Sequence, residues 1–207
     1  MEYVKITLEN FRALEDRAGN YLVQDFENVD GVDYLIRERY FVDDVLHRHI
    51  EPAVIDYVSL YNPYFPEGSR IQSLAWYIYG APYRDGDLPV LITFYIAWSP
   101  SSFPEIYSGN KREERYCNLK YLEGPLNSTD RISNLHRDGK PALLRFDRDG
   151  SLLSESYYQY GKMHNENGPA YISRLKNGAV EYSKFYLDGE EYLEEDYLKQ
   201  MQTKLYW

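Results

Sequence analysis

The chain of 207 residues has one cysteine, three methionines and no apolar run of the ~18–20 residues a membrane helix needs. A single thiol, Cys117, excludes an internal disulfide and a cysteine-based zinc site, and it points to a reducing compartment. Met1 is followed by Glu2 and Lys5 without an apolar segment, so no secretory signal is expected. Positive charge is scarce as well. The 23 Lys and Arg against 33 Asp and Glu leave a net charge of −10. Unaided binding to DNA, RNA or anionic lipid needs a clustered positive surface, and this balance argues against it. A basic protein partner or mimicry of a nucleic acid remains compatible. A soluble acidic cytoplasmic protein is the simplest expectation.

Aromatic residues, by contrast, make up 16% of the chain, and 23 of them are Tyr. Tyr suits a half-buried pleated surface, with its ring packed and its hydroxyl in water, so β structure is expected over a helical bundle. The organising feature lies between Leu135 and Gly189. His136 and His164, Pro141 and Pro169, Gly150 and Gly178, and Gly161 and Gly189 are each 28 residues apart. Four anchors at one spacing are an internal repeat.

Degenerate copies precede the two clean ones (135–161 and 162–189) at about 14–44, 45–80 and 81–124. His47 and Pro52 keep the offset of His136 and Pro141, and Tyr83 stands roughly where a His stands elsewhere. Aligned on their last residue, the copies place Phe41, Tyr77, Tyr121, Tyr158 and Tyr186 in one column. Tyr40, Trp76, Lys120, Tyr157 and Phe185 form the column before it. Each copy is expected to be a strand, a two-residue turn at Asp149-Gly150 or Asn177-Gly178, and a longer strand ending in paired aromatics. Neighbouring strand residues point to opposite faces, so a ring ladder is expected on each face of the sheet.

The expected fold is an all-β repeat: an antiparallel meander of about five β-hairpin repeats in a curled or twisted single sheet, with a short C-terminal capping helix. Residues 1–13, where Val4, Ile6 and Leu8 alternate with polar residues, predict a capping strand. The tail 190–207 changes period. Tyr197, Leu198, Met201 and Leu205 fall at helical spacing behind Glu194, Glu195 and Asp196, which predicts a helix folded over the open end of the sheet. The whole is read as one continuous domain.

Gly161-Lys162-Met163-His164, Gly168-Pro169-Ala170, Asn177-Gly178 and Phe185-Tyr186-Leu187-Asp188-Gly189 carry a family resemblance. The repeat resembles the MORN-type β-hairpin repeat in a longer, 28-residue variant. That variant is similar to repeats in bacterial antitoxin-like proteins and in phage and large-virus proteins. The resemblance implies an interaction or assembly scaffold, with a host defence component or a toxin as partner. It implies no reaction. A membrane-associated scaffold is a second implication, weakened by the sparse glycines.

No catalytic residues, cofactor or metal site are expected. His47, His136 and His164 share one repeat position, which suits a turn or packing role, whereas a catalytic site needs different residues converging. His47-Arg48-His49 supplies two imidazoles but no further ligand at a diagnostic spacing. Neither a phosphate-binding glycine loop before a helix nor a Gly-x-Ser-x-Gly element is present. Cys117, within a predicted strand, reads as a small buried side chain, and Asn127-Ser128-Thr129 as a chance sequon.

Two copies break their period at the mid-repeat turn, by 58–70 and by 97–111. These insertions carry Tyr61, Tyr64, Phe65, Trp98, Phe103 and Tyr107 among prolines. Insertions at one place in a repeat emerge from one edge of the array, and aromatics are the usual anchors of such surfaces. These six residues are the candidate partner-binding site. A third insertion, 124–134, reads as a polar linker between copies.

Overall fold

The computed structural model describes residues 2–57, 71–84, 86–94, 111–116 and 135–204, without the side chain of Val29. Its centre is one open sheet in which five antiparallel hairpins follow in chain order. They are β2 (Asn20–Val29) with β3 (Val32–Val42), β5 (Val54–Tyr57) with β6 (Ile71–Ala75), and β9 (Leu91–Phe94) with β10 (Lys111–Arg115). The last two are β11 (Leu143–Phe146) with β12 (Leu152–Ser156), and β15 (Tyr171–Arg174) with β16 (Val180–Leu187). The second strand of each hairpin pairs with the first of the next through three antiparallel positions, for example Ser154↔Ser173, Glu155↔Ile172 and Ser156↔Tyr171. The all-β repeat meander expected from the 28-residue period is therefore the fold.

Each described hairpin except the third is followed by a much smaller one. These are the end of β3 with β4 (Val45–Leu46), β7 (Tyr77–Ile78) with β8 (Ala81–Pro82), β13 (Tyr158–Gln159) with β14 (Lys162–Met163), and the end of β16 with β17 (Glu190–Tyr192). This changes the expected placement of the aromatics. Trp76 and Tyr157 stand at the break between the main strand and the small hairpin, and Tyr77 and Tyr158 belong to the small hairpin. The paired rings there lie on two successive pieces of sheet, so they do not form ladders on opposite faces of one sheet.

The third copy also differs in register. Tyr116, not Lys120, takes the position of Trp76 and Tyr157. Its N–H donates to Ala142 O, as Trp76 N–H donates to Val90 O and Tyr157 N–H to Ala170 O. Residues 117–134 then intervene before Leu135, so aligning the third copy on its last residue slid the aromatic column by four. Those residues, with Cys117 and the 124–134 insertion, lie outside the described ones.

The turns divide into two kinds. Asp43-Asp44, Tyr79-Gly80, Tyr160-Gly161 and Asp188-Gly189 close the small hairpins with positive φ at both residues, as does Asp30-Gly31 between β2 and β3. That is the two-residue turn whose twist matches right-handed strands. The clean-copy mid-repeat turns are not of this kind. Asp147 N donates to Ser151 O and Leu175 N to Ala179 O, leaving three-residue loops in which only Gly150 and Gly178 have positive φ. A left-handed third residue after a tight turn adds a bulge, and the register shifts at Arg145/Phe146 and Ser173/Arg174 accordingly.

Both termini depart from the sequence reading. The first strand is β1 (Val4–Thr7), and it pairs in parallel with β2. Its extension stops because Thr7 Oγ1 accepts from Asn10 N (3.3 Å) and caps the short helix α1 (Leu8–Arg12). At the other end residues 190–192 are strand β17, and the helix α2 spans Glu194–Lys204 with its acids in the first turn. No helix among the described residues is long and apolar enough to cross a membrane.

The core is concentrated where main sheet and small hairpins meet. Ala53, Ala75 and Tyr77 form one buried cluster with Leu46, Val54 and Leu91 against it. Tyr116, Leu135, Ala142 and Leu143 form another with Leu144 and Tyr158. Small residues are needed there: Ala53, Ala142 and Ala170, each just after a proline, are completely buried.

Candidate interaction surface

The sheet has two unlike ends. At one, successive hairpins are joined; at the other, each hairpin turns. The joining end is built from the same parts in every copy. His47, Tyr83, His136 and His164 each donate their backbone N–H to the carbonyl of the preceding aromatic, Tyr40, Trp76, Tyr116 and Tyr157 respectively. The next residue reaches forward. Arg48, Arg84 and Arg137 donate from Nη1 to the carbonyls of Pro52, Pro89 and Pro141 at 3.2, 3.3 and 3.0 Å. In the last copy Asn165 Nδ2 does the same to Pro169 O at 2.9 Å.

Each of these guanidinium groups lies over the ring of the aromatic behind it, with Cζ 3.8 Å from the ring centre for Arg48 over Tyr40 and Arg84 over Trp76, and 3.6 Å for Arg137 over Tyr116. Such stacking contributes about 0.5–2 kcal/mol, more as the site loses water. The same arrangement closes the array. Tyr197 of α2 sits 4.8 Å from the Phe185 ring, and its hydroxyl donates to Asn165 O and accepts from Gly168 N.

The buried histidines belong to this join. His47 Nδ1 accepts from Tyr79 N (3.2 Å), His136 Nδ1 from Tyr160 N (3.1 Å) and His164 Nδ1 from Asp188 N (3.1 Å). The donors are the first residues of the two-residue turns, held at φ of 48°, 50° and 51°, a region that non-glycine residues seldom occupy. Each imidazole therefore fixes a strained turn. Burial, with His49 beside it, pushes the His47 pKa below its ordinary value. Among the described residues no group of three or more His, Cys, Asp or Glu is arranged to hold a metal ion.

Between the third and fourth copies the joining end opens into a cleft of about 410 Å³ that includes Tyr83, Arg84, Tyr116, His136 and Arg137. Asp87 bridges it. Arg137 donates to its two oxygens at 2.5 and 2.9 Å and Lys140 at 2.6 Å. The Arg137 hydrogen bond first, and then that of Lys140, pull the Asp87 pKa down to about 2. Burial beside Glu114 raises the Tyr116 phenol to about 12. Asp87, Arg137 and Lys140 thus form one ion-pair cluster that ties the two copies together across the cleft.

Several charges on the sheet itself are also paired. Arg39 binds Asp25, Arg37 binds Asp56 and Arg174 binds Glu155. Glu113 takes Arg115 at 2.6 Å and Arg145 at 3.0 Å; burial raises its pKa, but the two arginines outweigh it and hold the value below normal. Glu114, almost fully buried, accepts from Lys111 (2.5 Å) and the Tyr116 hydroxyl (3.0 Å).

At the turning end the structure describes the residues from which the two insertions leave and to which they return, Tyr57 and Ile71, and Phe94 and Lys111. Both pairs lie at the same end as the loops 148–150 and 176–178, because every hairpin in the meander turns there. The six candidate anchors, Tyr61, Tyr64, Phe65, Trp98, Phe103 and Tyr107, lie outside the described residues. Sequence reasoning missed the Arg–Pro clamp, although its signal was present: Arg, Arg, Arg and Asn follow His47, Tyr83, His136 and His164. Comparison with protein-family models, with curated proteins and with solved structures finds no match to this chain.

Proposed function

We propose that this chain is a non-enzymatic interaction protein that binds a protein partner from the turning end of its sheet, with the aromatic residues of 58–70 and 97–111 as anchors. One observation carries the reading: the two ends of the sheet divide the labour. The joining end is taken up by the His, Arg, Pro and aromatic groups that hold one copy to the next. The two aromatic-rich insertions, which break the period at the mid-repeat turn, leave from the other end, where such joins are not needed. The resemblance to the longer MORN-type repeat extends the reading to a phage or viral protein, acting in the host cytoplasm on a host factor such as a defence component or a toxin. Pairing of the sheet acids with arginines favours this reading over a nucleic-acid mimic, which needs a continuous run of uncompensated acids.

Affinity purification from the native host, with wild type and a Tyr64→Ala, Phe65→Ala, Trp98→Ala, Phe103→Ala variant side by side, tests it. The variant should lose the captured partner at least tenfold and unfold at the same temperature as wild type. Undiminished capture by the variant would remove the anchors from the proposal.

A further inference from the structure

Among the described residues, no further main-sheet hairpin follows the β15–β16 pair. In the copies before it, the register positions 37–39, 73–75, 113–115 and 154–156 pair outward with the first strand of the next hairpin. The equivalent positions on β16 are Tyr182, Ser183 and Lys184, and among the described residues no strand lies beyond them. Helix α2 packs on the end of β16 at Phe185 and leaves these three positions open. Its Tyr197 covers Phe185, whereas Val180–Lys184 is exposed throughout. At the corresponding place in β12, Ser154 and Ser156 are buried. The edge is also ready for pairing. Ala170 N donates to Lys184 O, so the Lys184 carbonyl faces β15. Alternation along an antiparallel strand then turns the N–H and C=O of Ser183 outward.

The internal junctions specify what covers such an edge. Each incoming strand places an aliphatic residue at the middle position: Ile55 opposite Glu38, Ile92 opposite Leu74, Leu144 opposite Glu114 and Ile172 opposite Glu155. The surrounding charge sets the flanks. Lys184, Lys199 and Lys204 are already taken by Glu191, Asp196 and Glu166. Glu181, Glu190, Glu194 and Glu195 have no basic side chain within ion-pair distance among the described residues. The same acids disfavour a second copy of this chain, which would bring like charge to like charge.

We propose that the β16 edge is a second binding site, which takes an extended segment of a partner protein as an added antiparallel strand, with an aliphatic residue opposite Ser183 and basic residues on either side. Strand addition of this kind draws affinity from backbone hydrogen bonds and selectivity from alternate side chains. The proposal rests on the reading of the chain as a protein-binding protein.

The chain supplies its own probe. A labelled peptide with the sequence of residues 137–148, RDGKPALLRFDR, contains Leu144 at the middle position and four bases against two acids. Fluorescence anisotropy with the full-length protein should show saturable binding. Replacing the four bases by Glu should weaken it at least tenfold. Ser183→Pro removes an outward N–H that no ladder bond uses, so it should also weaken binding at least tenfold with the unfolding temperature unchanged. Should that variant fail to fold, Glu181→Lys with Glu190→Lys should reverse the preference between the two peptides. Absence of saturable binding, equal binding of both peptides, or unchanged binding by both variants overturns the proposal. So does a wild-type dimer in sedimentation equilibrium that Ser183→Pro dissociates, which would make a second copy the occupant. Partner capture that needs the loop aromatics but tolerates Ser183→Pro would leave the proposed function standing and remove this edge from it.

Discussion

Arg137 offers the most direct test of how the repeats are held together. Its guanidinium makes three kinds of contact: the face of Tyr116 at 3.6 Å, the carbonyl of Pro141 at 3.0 Å, and the carboxylate of Asp87 at 2.5 and 2.9 Å. Chemical intuition would rank the two-pronged ion pair first. The solvent exposure reverses that order. Asp87 is 44% exposed, whereas the Arg137 side chain is 15% exposed, so water screens the pair and its worth falls to about 0.2–1 kcal/mol. The stacked, half-desolvated ring contact contributes about 1–2 kcal/mol. A charged donor to a carbonyl contributes about 1.5 kcal/mol, and removing it strips Pro141 O of that bond. Arg137→Ala should therefore cost about 3 kcal/mol, and Asp87→Asn less than about 1 kcal/mol. Arg137→Lys should recover little, because an ammonium cannot both lie flat on the ring and reach the proline carbonyl. Urea unfolding of the three variants, with comparable denaturant slopes, measures this directly. If Asp87→Asn proves as costly as Arg137→Ala, the ion pair and not the stacked clamp holds the copies together, and the account of the join is wrong.

Two further outcomes follow from the same join. His47 is buried as the acceptor of Tyr79 N–H, and its folded pKa is lowered, so the unfolded chain takes the proton more readily. Its contribution to stability is complete above the ordinary value of 6.5 and declines as pH falls through it. The thermal midpoint of wild type should therefore drop more between pH 7 and pH 5 than that of His47→Asn; parallel curves would contradict the assignment. Ala142 and Ala170 are completely buried behind their prolines, so Ala→Leu at either should cost about 1–3 kcal/mol through overpacking. The same substitution at exposed Ala179 should change the unfolding midpoint little.

The period of the chain was legible because the join uses residue types that stand out in a sequence: His, Pro and Gly at fixed offsets. What remained hidden was which backbone geometry each glycine serves. Asp149-Gly150 and Tyr160-Gly161 look alike as turn dipeptides, but only the second has both residues at positive φ. At Tyr160 the His136 imidazole adds a brace to the turn from 24 residues away, a contact that no dipeptide reveals. The third copy misled for a related reason. The extra residues between Tyr116 and Leu135 displace every later landmark, so alignment from the far end selects Tyr121. The helix at 8–12 gave no clear signal within an alternating pattern, because one threonine cap decides it. The unpaired stretch of β16 is a property of position in the array. Val180–Lys184 differs from 152–156 chiefly in that, among the described residues, no further main-sheet hairpin pairs with it.

The joining parts of each copy are local: a His or Tyr, an Arg or Asn, a proline and a small residue travel together within a few positions. A tandem duplication of 28 residues after Gly161 would bring its own complete set and would present the same outer edge for the next copy. It would lengthen the sheet by two strands, or about 9.6 Å. The chain can thus grow or shrink in whole steps without redesign of its interior. The spacing between whatever is held at its first and last edges is a quantity that gene duplication can tune in units.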